Sequence, residues 1–316
     1  MQGAALTHSP NARHTLRAVA GLLVAAALAG GAPPGQAQDV APVELSGTLA
    51  KARASGTIAL GFRQSSVPFS FLSPRQEPVG YSVELCKALV TSIEDAINRS
   101  LAIRWVPVTA ASRIDAVESG QIDLECGSTT NNIERQKRVA FSPTIFVSGT
   151  KLMVKKGSPV SSFRDLAGKK VAVTAGTTNE KALQDLDRRF KLGMLIVTSQ
   201  EHAQSFDLVA RGQADAFATD DVLLHGLIAQ RGAKGDYVVL GDDLSYDPYG
   251  IVFRKNDPQL AKVVRDTFQV LAEDGEMERQ YKRWFLRKLP TGESIDLPMS
   301  AQLASIIEAM AVKPAE

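Results

Sequence analysis

Apolar residues recur along the chain with two different periods. Short apolar runs such as Thr57–Phe62 (TIALGF) and Lys170–Thr174 (KVAVT) have the composition of buried strands. Residues 82–98 and 179–190 instead carry apolar side chains at helical spacing of three to four residues. Strands and helices keep alternating, so the pattern predicts an α/β fold rather than an all-α or an all-β chain.

The predicted elements form two successive series. The first has strands at 57–62, 103–108 and 122–126 and helices at 82–98 and 111–119. The second has strands at 170–174, 194–197 and 214–219 and helices at 179–190 and 201–211. Further along the chain, the pattern predicts helices at 221–230, 259–272, 276–285 and 300–310, and strands at 237–240 and 249–253.

The two series contain an internal echo. Residues 114–128 (IDAVESGQIDLECGS) align without gaps on 206–220 (FDLVARGQADAFATD), and five of the fifteen positions are identical. A match of this size could arise by chance, because helix–glycine–strand units resemble one another. The copies nevertheless fall at corresponding places in the two series, which indicates two similar lobes. Ser128 and Asp220 then lie at corresponding strand ends, where sheets of this class bind ligands.

Two extended segments, at about 141–152 and 242–253, separate the second series from its surroundings. The simplest arrangement is a first lobe, 44–147 plus 247–290, interrupted by a second lobe, 148–246. The two crossing segments would act as hinges. Residues 291–316 are predicted to form a C-terminal helix and tail packed on the outside.

Residues 1–37 have the features of a secretory signal peptide. Arg13 and Arg17 precede the apolar run 18–29, and small residues lead to a cleavage site near Ala37. The run is too short to span a membrane, so the sequence predicts a soluble, exported (periplasmic) protein. The segment holds two of the 36 basic residues and none of the 34 acidic ones, which leaves 34 of each. This balance gives no reason to expect a nucleic-acid partner.

The two cysteines, Cys86 and Cys126, would lie in an oxidising compartment. They could form one disulfide or remain two thiols packed in the core, and the sequence leaves both alternatives open. Two of the four histidines, His8 and His14, belong to the leader. His202 and His225 alone cannot form a metal site, so no metal is predicted. No cofactor is predicted either.

The segment 125–142, ECGSTTNNIERQKRVAFS, carries the strongest chemical signal. A short strand runs into a polar turn of Gly, Ser and Thr, whose N–H groups and hydroxyls are free to meet a ligand, and a basic helix follows at roughly 132–139. Asn131 and Glu134 have the spacing of a capping box. Arg135 lies one turn inside the helix, where it can contact a carboxylate with two donors. The alternative is a plain strand–turn–helix with a solvated basic face.

Five segments carry a resemblance to a known family: GYSVELCKAL, ECGSTTNNIERQKRVAFS, GTKLMVKKG, AGTTNEKAL and ATDD. The chain resembles the periplasmic binding proteins of amino-acid ABC transporters (solute-binding protein family 3) from about residue 46 to 290. Within that family it is most similar to the glutamate/aspartate-binding members. The resemblance implies the type II periplasmic-binding-protein fold, in which two α/β lobes joined by two hinge strands close on the ligand.

The resemblance also assigns a ligand-binding set: Arg63, Arg113, Ser128, Thr130, Arg135, Thr178, His202 and Asp220. Arg135 would pair with the ligand α-carboxylate, helped by the backbone N–H groups of Thr130 and Thr178. Thr177 and Glu180 have capping-box spacing, so the start of that helix would direct N–H groups at an anion. Asp220 would take the α-ammonium, with the Thr130 hydroxyl and the Ser128 carbonyl.

Arg63, Arg113 and His202 match the family positions that contact the side-chain carboxylate of the ligand. Ala110 stands where the family relative has a serine, which leaves the preference between glutamate and aspartate open. Charge counting also favours an acidic ligand. Arg135 and Asp220 already match the two charges of a neutral amino acid, so Arg63 and Arg113 would be uncompensated in a closed cleft.

Simpler explanations exist for individual residues. Arg63 follows a strand, where a solvated arginine is common, and His202 could be a surface residue. Asp220 could serve only as an N-cap for the next helix. Phe69 and Phe71 could line the cleft or belong to the core.

The leading hypothesis is therefore a monomeric periplasmic receptor that captures L-glutamate or L-aspartate and delivers it to an inner-membrane ABC permease. It is not expected to be an enzyme. One alternative is an exported dehydratase-type enzyme on the same fold, with Asp220 or Glu125 as its proton-transferring acid. Another is a ligand-sensing domain for a signalling partner.

Overall fold

A computed structural model describes residues 44–312. The predicted signal peptide, 1–37, and the last four residues of the predicted tail lie outside this range. In the part of the chain that is described, no helix is both long and apolar enough to cross a membrane.

The first lobe is built around a five-stranded sheet in the order β5-β1-β6-β15-β7. Strands β5, β1 and β6 are parallel, and β15 runs antiparallel to both β6 and β7. Before the crossing to the second lobe, its elements are α1 (Gly47–Ser55), β1 (Thr57–Phe62), β2 (Ser65–Ser66), β3 (Ser70–Leu72), β4 (Pro78–Val79), α2 (Tyr81–Ile97), β5 (Ala102–Pro107), α3 (Arg113–Glu118), β6 (Leu124–Glu125), α4 (Ile133–Gln136) and β7 (Val139–Phe141). 

The second lobe follows the hinge strand β8 (Phe146–Ser148) and has a sheet in the order β11-β10-β12-β9-β13. Strand β9 is antiparallel to β12 and β13, whereas β10, β11 and β12 are parallel. Its elements are β9 (Thr150–Lys155), a 3₁₀ turn (Phe163–Leu166), β10 (Lys170–Thr174), α5 (Thr178–Phe190), β11 (Leu195–Ser199), α6 (His202–Ala210), β12 (Ala216–Asp220), α7 (Asp221–Gln230) and β13 (Tyr237–Leu240). 

The chain then returns to the first lobe. The returning elements are β14 (Asp247–Tyr249), β15 (Val252–Arg254), α8 (Pro258–Glu273), α9 (Glu276–Tyr281), a π-helical turn (Lys282–Leu286) and α10 (Ala301–Met310). Strand β14 pairs antiparallel with β8, so the two crossings form a two-stranded hinge. The fold is the predicted α/β type II architecture of two lobes joined by two strands.

The internal echo has a structural counterpart. Each copy runs from a helix (α3 or α6) through a glycine at positive φ into the third strand of its sheet (β6 or β12). The identical aspartates also make equivalent hydrogen bonds. Asp123 accepts the backbone N–H of Ala59 at 2.8 Å. Asp215 accepts the backbone N–H of Lys170 at 2.8 Å. Each carboxylate thereby supports the first residues of the neighbouring parallel strand.

An aromatic cluster packs around the hinge. The ring of Phe69 lies 5.0 Å from that of Phe146 and 5.1 Å from that of Tyr249, and Phe285 stacks on Phe146 at 5.1 Å. Phe69 and Phe71 are both fully buried in this core, so of the two alternatives they are core residues and do not line the cleft. Cys86 of α2 and Cys126, directly after β6, form a disulfide, so the structure has the bonded form of the two alternatives.

The C-terminal segment contacts both lobes. Asp296 forms an ion pair with Lys234 of the second lobe at 2.7 Å. Tyr281 of the first lobe donates its hydroxyl to the Leu297 carbonyl at 3.2 Å, and α10 packs against α8. The segment therefore ties the two lobes together outside the hinge strands.

Three predicted elements differ in the structure. The basic helix expected at 132–139 is a single turn, Ile133–Gln136, because Val139 already pairs with Arg254 in the sheet. The strand expected at 249–253 is divided, because Tyr249 pairs in the hinge and Val252 in the first sheet. The helix expected at 276–285 widens into a π turn after Tyr281, where its aromatic residues pack into the core.

Candidate functional site

A small polar cavity of about 10 Å³, room for about one water molecule, lies between the closed lobes. The carboxyl ends of β6, β10 and β12 converge there, which is where ligands bind in sheets of this class. Its lining residues are Arg113, Ser128, Thr130, Thr177, Thr178, Asn179, His202, Asp220 and Leu223. Six of the eight residues that the sequence singled out line this cavity, and Arg63 and Arg135 lie beside it.

Arg113 enters the site from the first turn of α3 and is 3% exposed. Its Nη1 donates to the Ser128 carbonyl at 3.3 Å. Its Nε and the Ser128 hydroxyl are both buried without a hydrogen-bond partner among residues 44–312. Burial lowers the pKa of Arg113 to about 9, aided by the charge of nearby Arg135. Buried donors of this kind are costly unless a ligand accepts from them.

Arg63 is fully buried, which excludes the solvated alternative. Its Nη2 donates to Glu201 at 3.3 Å, and its Nε and Nη1 find no partner in the described range. His202 is also buried, and its Nδ1 lies 2.8 Å from the Thr174 hydroxyl. Burial, followed by the charges of Arg63 and Arg113, holds the pKa of His202 well below its ordinary value. The imidazole is therefore neutral and can act as a hydrogen-bond donor or acceptor.

Arg135 lies in the one-turn helix α4 and donates from Nη1 to the Thr130 carbonyl at 2.8 Å. Burial lowers its pKa, and the Glu125 charge partly offsets this effect. The predicted capping box is wrong. Asn132, not Asn131, is the N-cap and accepts the backbone N–H of Arg135 at 2.9 Å.

The start of α5 faces the cavity. Thr177 is its N-cap and accepts the backbone N–H of Glu180 at 3.1 Å, as the spacing predicted. The Glu180 carboxylate does not complete the box, because it accepts the N–H of Gly176 at 2.8 Å. The hydroxyls of Thr130 and Thr178 lie 3.3 Å apart, although they belong to different lobes.

Asp220 is buried at the N-cap position of α7, but its carboxylate does not cap the helix. It accepts Asn179 Nδ2 at 2.8 Å and the hydroxyl of Tyr249. Burial, followed by the neighbouring charge of Asp247, raises the pKa of Asp220 to about 7. The group is therefore poised between the acid and the carboxylate at neutral pH.

The charge count made from the sequence was incomplete. Glu201 pairs with Arg63, and Asp247 accepts the Thr130 hydroxyl at 3.0 Å. Glu125 is fully buried and accepts the Thr129 hydroxyl at 2.6 Å, and its charge acts on both Arg113 and Arg135. Arg63 and Arg113 are thus not simply surplus cations. The unpartnered buried donors of Arg63 and Arg113, rather than the net charge, favour an acidic ligand.

Four residues of the site were not predicted from the sequence: Asn179, Glu201, Asp247 and Tyr249. Glu125 was considered only as the proton-transferring acid of the dehydratase-type alternative. Glu125 gave a signal, since it is a charge at the end of an apolar strand and directly before the conspicuous turn. Tyr249 and Asp247 gave none, because they reach the site through contacts with residues 29 and 117 positions away. Within the described range, no three His, Cys, Asp or Glu side chains come together as metal ligands.

Two α/β lobes joined by two strands around a charged, polar cavity define the type II periplasmic-binding-protein fold. The sequence profile of the bacterial extracellular solute-binding proteins, family 3, matches residues 58–287. The chain belongs to this family.

Relatives with assigned ligands are similar over most of their length. The chain is 40% identical over 279 residues to the glutamate/aspartate import solute-binding protein of Salmonella typhimurium, covering 88% of this chain and 91% of the relative. It is 41% identical over 276 residues to the L-glutamate/L-aspartate-binding protein of Pseudomonas aeruginosa, covering 86% and 91%. A solved ancestral amino-acid-binding protein, described as a precursor of cyclohexadienyl dehydratase, matches with a TM-score of 0.65 and 30% identity, covering 75% of this chain and 99% of that chain.

Proposed function

We propose that the protein is the periplasmic substrate-binding component of an ABC importer for L-glutamate and L-aspartate. The leader 1–37 directs export, and the mature chain acts as a monomer. The lobes 44–147 plus 247–290 and 148–246 close on the ligand, with 291–316 as the C-terminal helix and tail. The closed protein then delivers the amino acid to an inner-membrane permease. The Salmonella and Pseudomonas relatives are both named as glutamate/aspartate-binding proteins, and the Salmonella relative is named as an import protein.

The observation that carries this proposal is the set of buried donors around one interlobe cavity. Arg113 Nε and the Ser128 hydroxyl are unpartnered among the described residues, and Asp220 lines the same cavity. A guanidinium and a carboxylate in one small enclosed space suit a ligand that carries both an anionic and a cationic group.

The proposed pose places the α-amino acid group between the lobes. Arg135 and the N–H groups of Thr130 and Thr178 take the α-carboxylate, and the start of α5 contributes its dipole. Asp220 takes the α-ammonium, with the Thr130 hydroxyl and the Ser128 carbonyl. The 3.3 Å separation of the Thr130 and Thr178 hydroxyls supports a single group bound by both lobes.

The distal carboxylate is assigned to Arg63, Arg113 and His202. Both guanidinium groups are buried and keep unpartnered N–H donors in the described part of the chain. A neutral His202 can donate a hydrogen bond without adding another buried charge. Ala110 is buried, and its methyl group stands where the glutamate/aspartate-binding members of the family have a serine hydroxyl. This loss affects the balance between glutamate and aspartate.

Titration calorimetry on the mature protein tests the proposal. We expect one site that binds L-glutamate or L-aspartate and binds L-glutamine and L-arginine more weakly. A thermal shift gives an independent readout, because a ligand at 100 times its Kd stabilises the folded state by about 2.7 kcal/mol. Saturable binding of another amino acid, with no response to either acid, would refute the assignment.

The dehydratase-type alternative has one specific observation in its favour. The raised pKa of Asp220 gives the cleft a group that could transfer a proton near neutral pH. That carboxylate is held by Tyr249 and Asn179, which suits a fixed counter-ion for an ammonium group. We therefore propose binding without turnover. Incubation with prephenate should leave it unchanged, and a dehydrated product formed only with intact Asp220 would favour the enzyme.

A further inference from the structure

The carboxylate of Glu201 crosses from the second lobe to the first. Its Oε2 accepts Arg63 Nη2 at 3.3 Å and the Ser65 hydroxyl at 2.9 Å. Ser65 in turn accepts the backbone N–H of Ala203 at 3.3 Å, in the first turn of α6. All three contacts join residues of opposite lobes in this closed arrangement.

The contact is made by desolvated groups. The side chain of Arg63 is fully buried and that of Glu201 is 13% exposed. Hydrogen bonds between groups removed from water are lost at a greater cost than those of solvated surface pairs. This ion pair therefore differs from the exposed pairs elsewhere on the molecule, such as that of Glu134 with Lys137.

Glu201 occupies one donor group of Arg63 and leaves others free. Nη2 is engaged, while Nε and Nη1 have no partner among residues 44–312. A hydrogen bond to one nitrogen of the planar guanidinium restricts its orientation and leaves its remaining N–H groups available to a ligand. The pairing also offsets one positive charge in a site that holds Arg113 and Arg135 as well.

Glu201 directly precedes His202, which lines the cavity. The start of α6 therefore delivers two groups at once when the lobes close. Glu201 reaches Arg63 and Ser65, and His202 completes the wall of the ligand cavity. Closure and assembly of the distal subsite are one event at this point in the fold.

We propose that Glu201 is the interlobe latch of this protein and the residue that positions Arg63 for the distal carboxylate of the ligand. The identity of that carboxylate rests on the proposed function, whereas the latch contact itself does not. Glu201 is a positioning residue, since it acts on the ligand through Arg63. Its effect belongs to the closed complex and should appear in the rate at which the ligand leaves.

Stopped-flow fluorescence with L-glutamate tests the proposal through Glu201→Gln, which keeps the shape and removes the charge. We expect the dissociation rate to rise at least tenfold and the association rate to change less than twofold, because breaking a buried charge pair acts mainly on dissociation. Ser65→Ala attacks the same latch from the other lobe. The effects of the two variants should be less than additive in the double variant.

Glu134→Gln is the matched control, because Glu134 is exposed and pairs within its own lobe. It should leave both rates within twofold of the wild-type values. An unchanged dissociation rate in Glu201→Gln, or strict additivity with Ser65→Ala, would overturn the latch.

The latch and the proposed function fail in different ways. Wild-type protein that binds neither acid refutes the proposed ligand, and the rates are then measured with whichever amino acid stabilises it in a thermal-shift screen. Normal wild-type binding of glutamate with no change in Glu201→Gln refutes only the latch.

Discussion

Thr130 and Thr178 face each other across the cleft, with their hydroxyl oxygens 3.3 Å apart. Thr130 also donates to Asp247 in the hinge strand β14 at 3.0 Å. One side chain thus connects the first lobe, the second lobe and the hinge. The structure therefore shows the closed arrangement of the lobes.

Arg113→Ala should weaken glutamate binding by about 2–5 kcal/mol, which is at least thirtyfold in Kd. The variant removes a guanidinium that is 3% exposed and leaves the ligand carboxylate without its buried partner. Titration calorimetry measures the change. Arg138→Ala is the control, because Arg138 forms exposed pairs with Asp115 and Glu118. Equal affinities in the two variants would contradict the assignment of Arg113.

Ligand affinity should fall as the pH drops below about 7. Asp220 has a pKa of about 7 in the closed protein, and an ammonium ligand needs its carboxylate form. Below that pH the protein must release a proton on binding, so Kd should rise by up to tenfold for each further pH unit. Burial holds the pKa of His202 well below its ordinary value, so the first protonation of the site on acidification is expected at Asp220.

Calorimetry in buffers of different ionisation enthalpy measures the proton released by this step. In Asp220→Asn the release should disappear, and binding should be weak at every pH. Without ligand, the raised pKa of Asp220 also affects the free energy of unfolding. Between about pH 4 and pH 7 the folded state keeps the Asp220 proton and the unfolded chain releases it. The contribution of Asp220 to stability therefore declines as the pH rises through this range. A proton release that persists in Asp220→Asn would assign the titration to another group.

Gly176→Ala should prevent full closure. A Cβ at this position would lie 2.6 Å from the Cα of Ala111 in the opposite lobe. We expect at least a tenfold loss of affinity, since backbone atoms of both lobes would have to move apart. Gly168→Ala is the matched control, because Gly168 also has positive φ, while its added Cβ would meet nothing within 4 Å. The control should lose about 1 kcal/mol of stability and keep its affinity.

Removal of the disulfide should destabilise the fold without abolishing the site. Cys86 and Cys126 are 40 residues apart, and closing a loop of that length corresponds to about 4 kcal/mol in the chain-entropy model. Urea unfolding of the Cys86→Ser/Cys126→Ser variant measures the loss. Reducing agent should lower the stability of the wild type towards that of the variant and should not affect the variant. Equal stability of the two proteins without reductant would contradict this expectation.

Most helices and strands could be predicted from the sequence, because each depends on the apolar periodicity of its own residues. The apolar periods gave α7 and β13 at their observed bounds, and the internal echo matched helix to helix and strand to strand across the lobes. The failures occur where tertiary contacts override local preference. Val139 leaves the helical pattern to pair with Arg254, and Tyr249 and Val252 belong to different sheets.

The site residues that lie close together in one sequence motif were predictable. Those brought together only by folding were not. Arg113, Ser128 and Thr130 lie close together in the sequence near one strand end, and they line the cavity together. The partner of Arg63 was not predictable, because Glu201 lies 138 positions away. Without Glu201, the sequence overestimated the positive charge of the cleft. A count of charges in a sequence gives no information on which of them meet.

The C-terminal segment has a practical consequence for anyone building a reporter from this protein. Its Asp296 is bound to Lys234 of one lobe, and its Leu297 accepts a hydrogen bond from Tyr281 of the other. A fluorophore or affinity label fused to the carboxyl end would be attached to a segment that contacts both lobes. Such a fusion would perturb the opening and closing of the lobes that it is meant to report. Labels therefore belong on exposed helix faces within a single lobe.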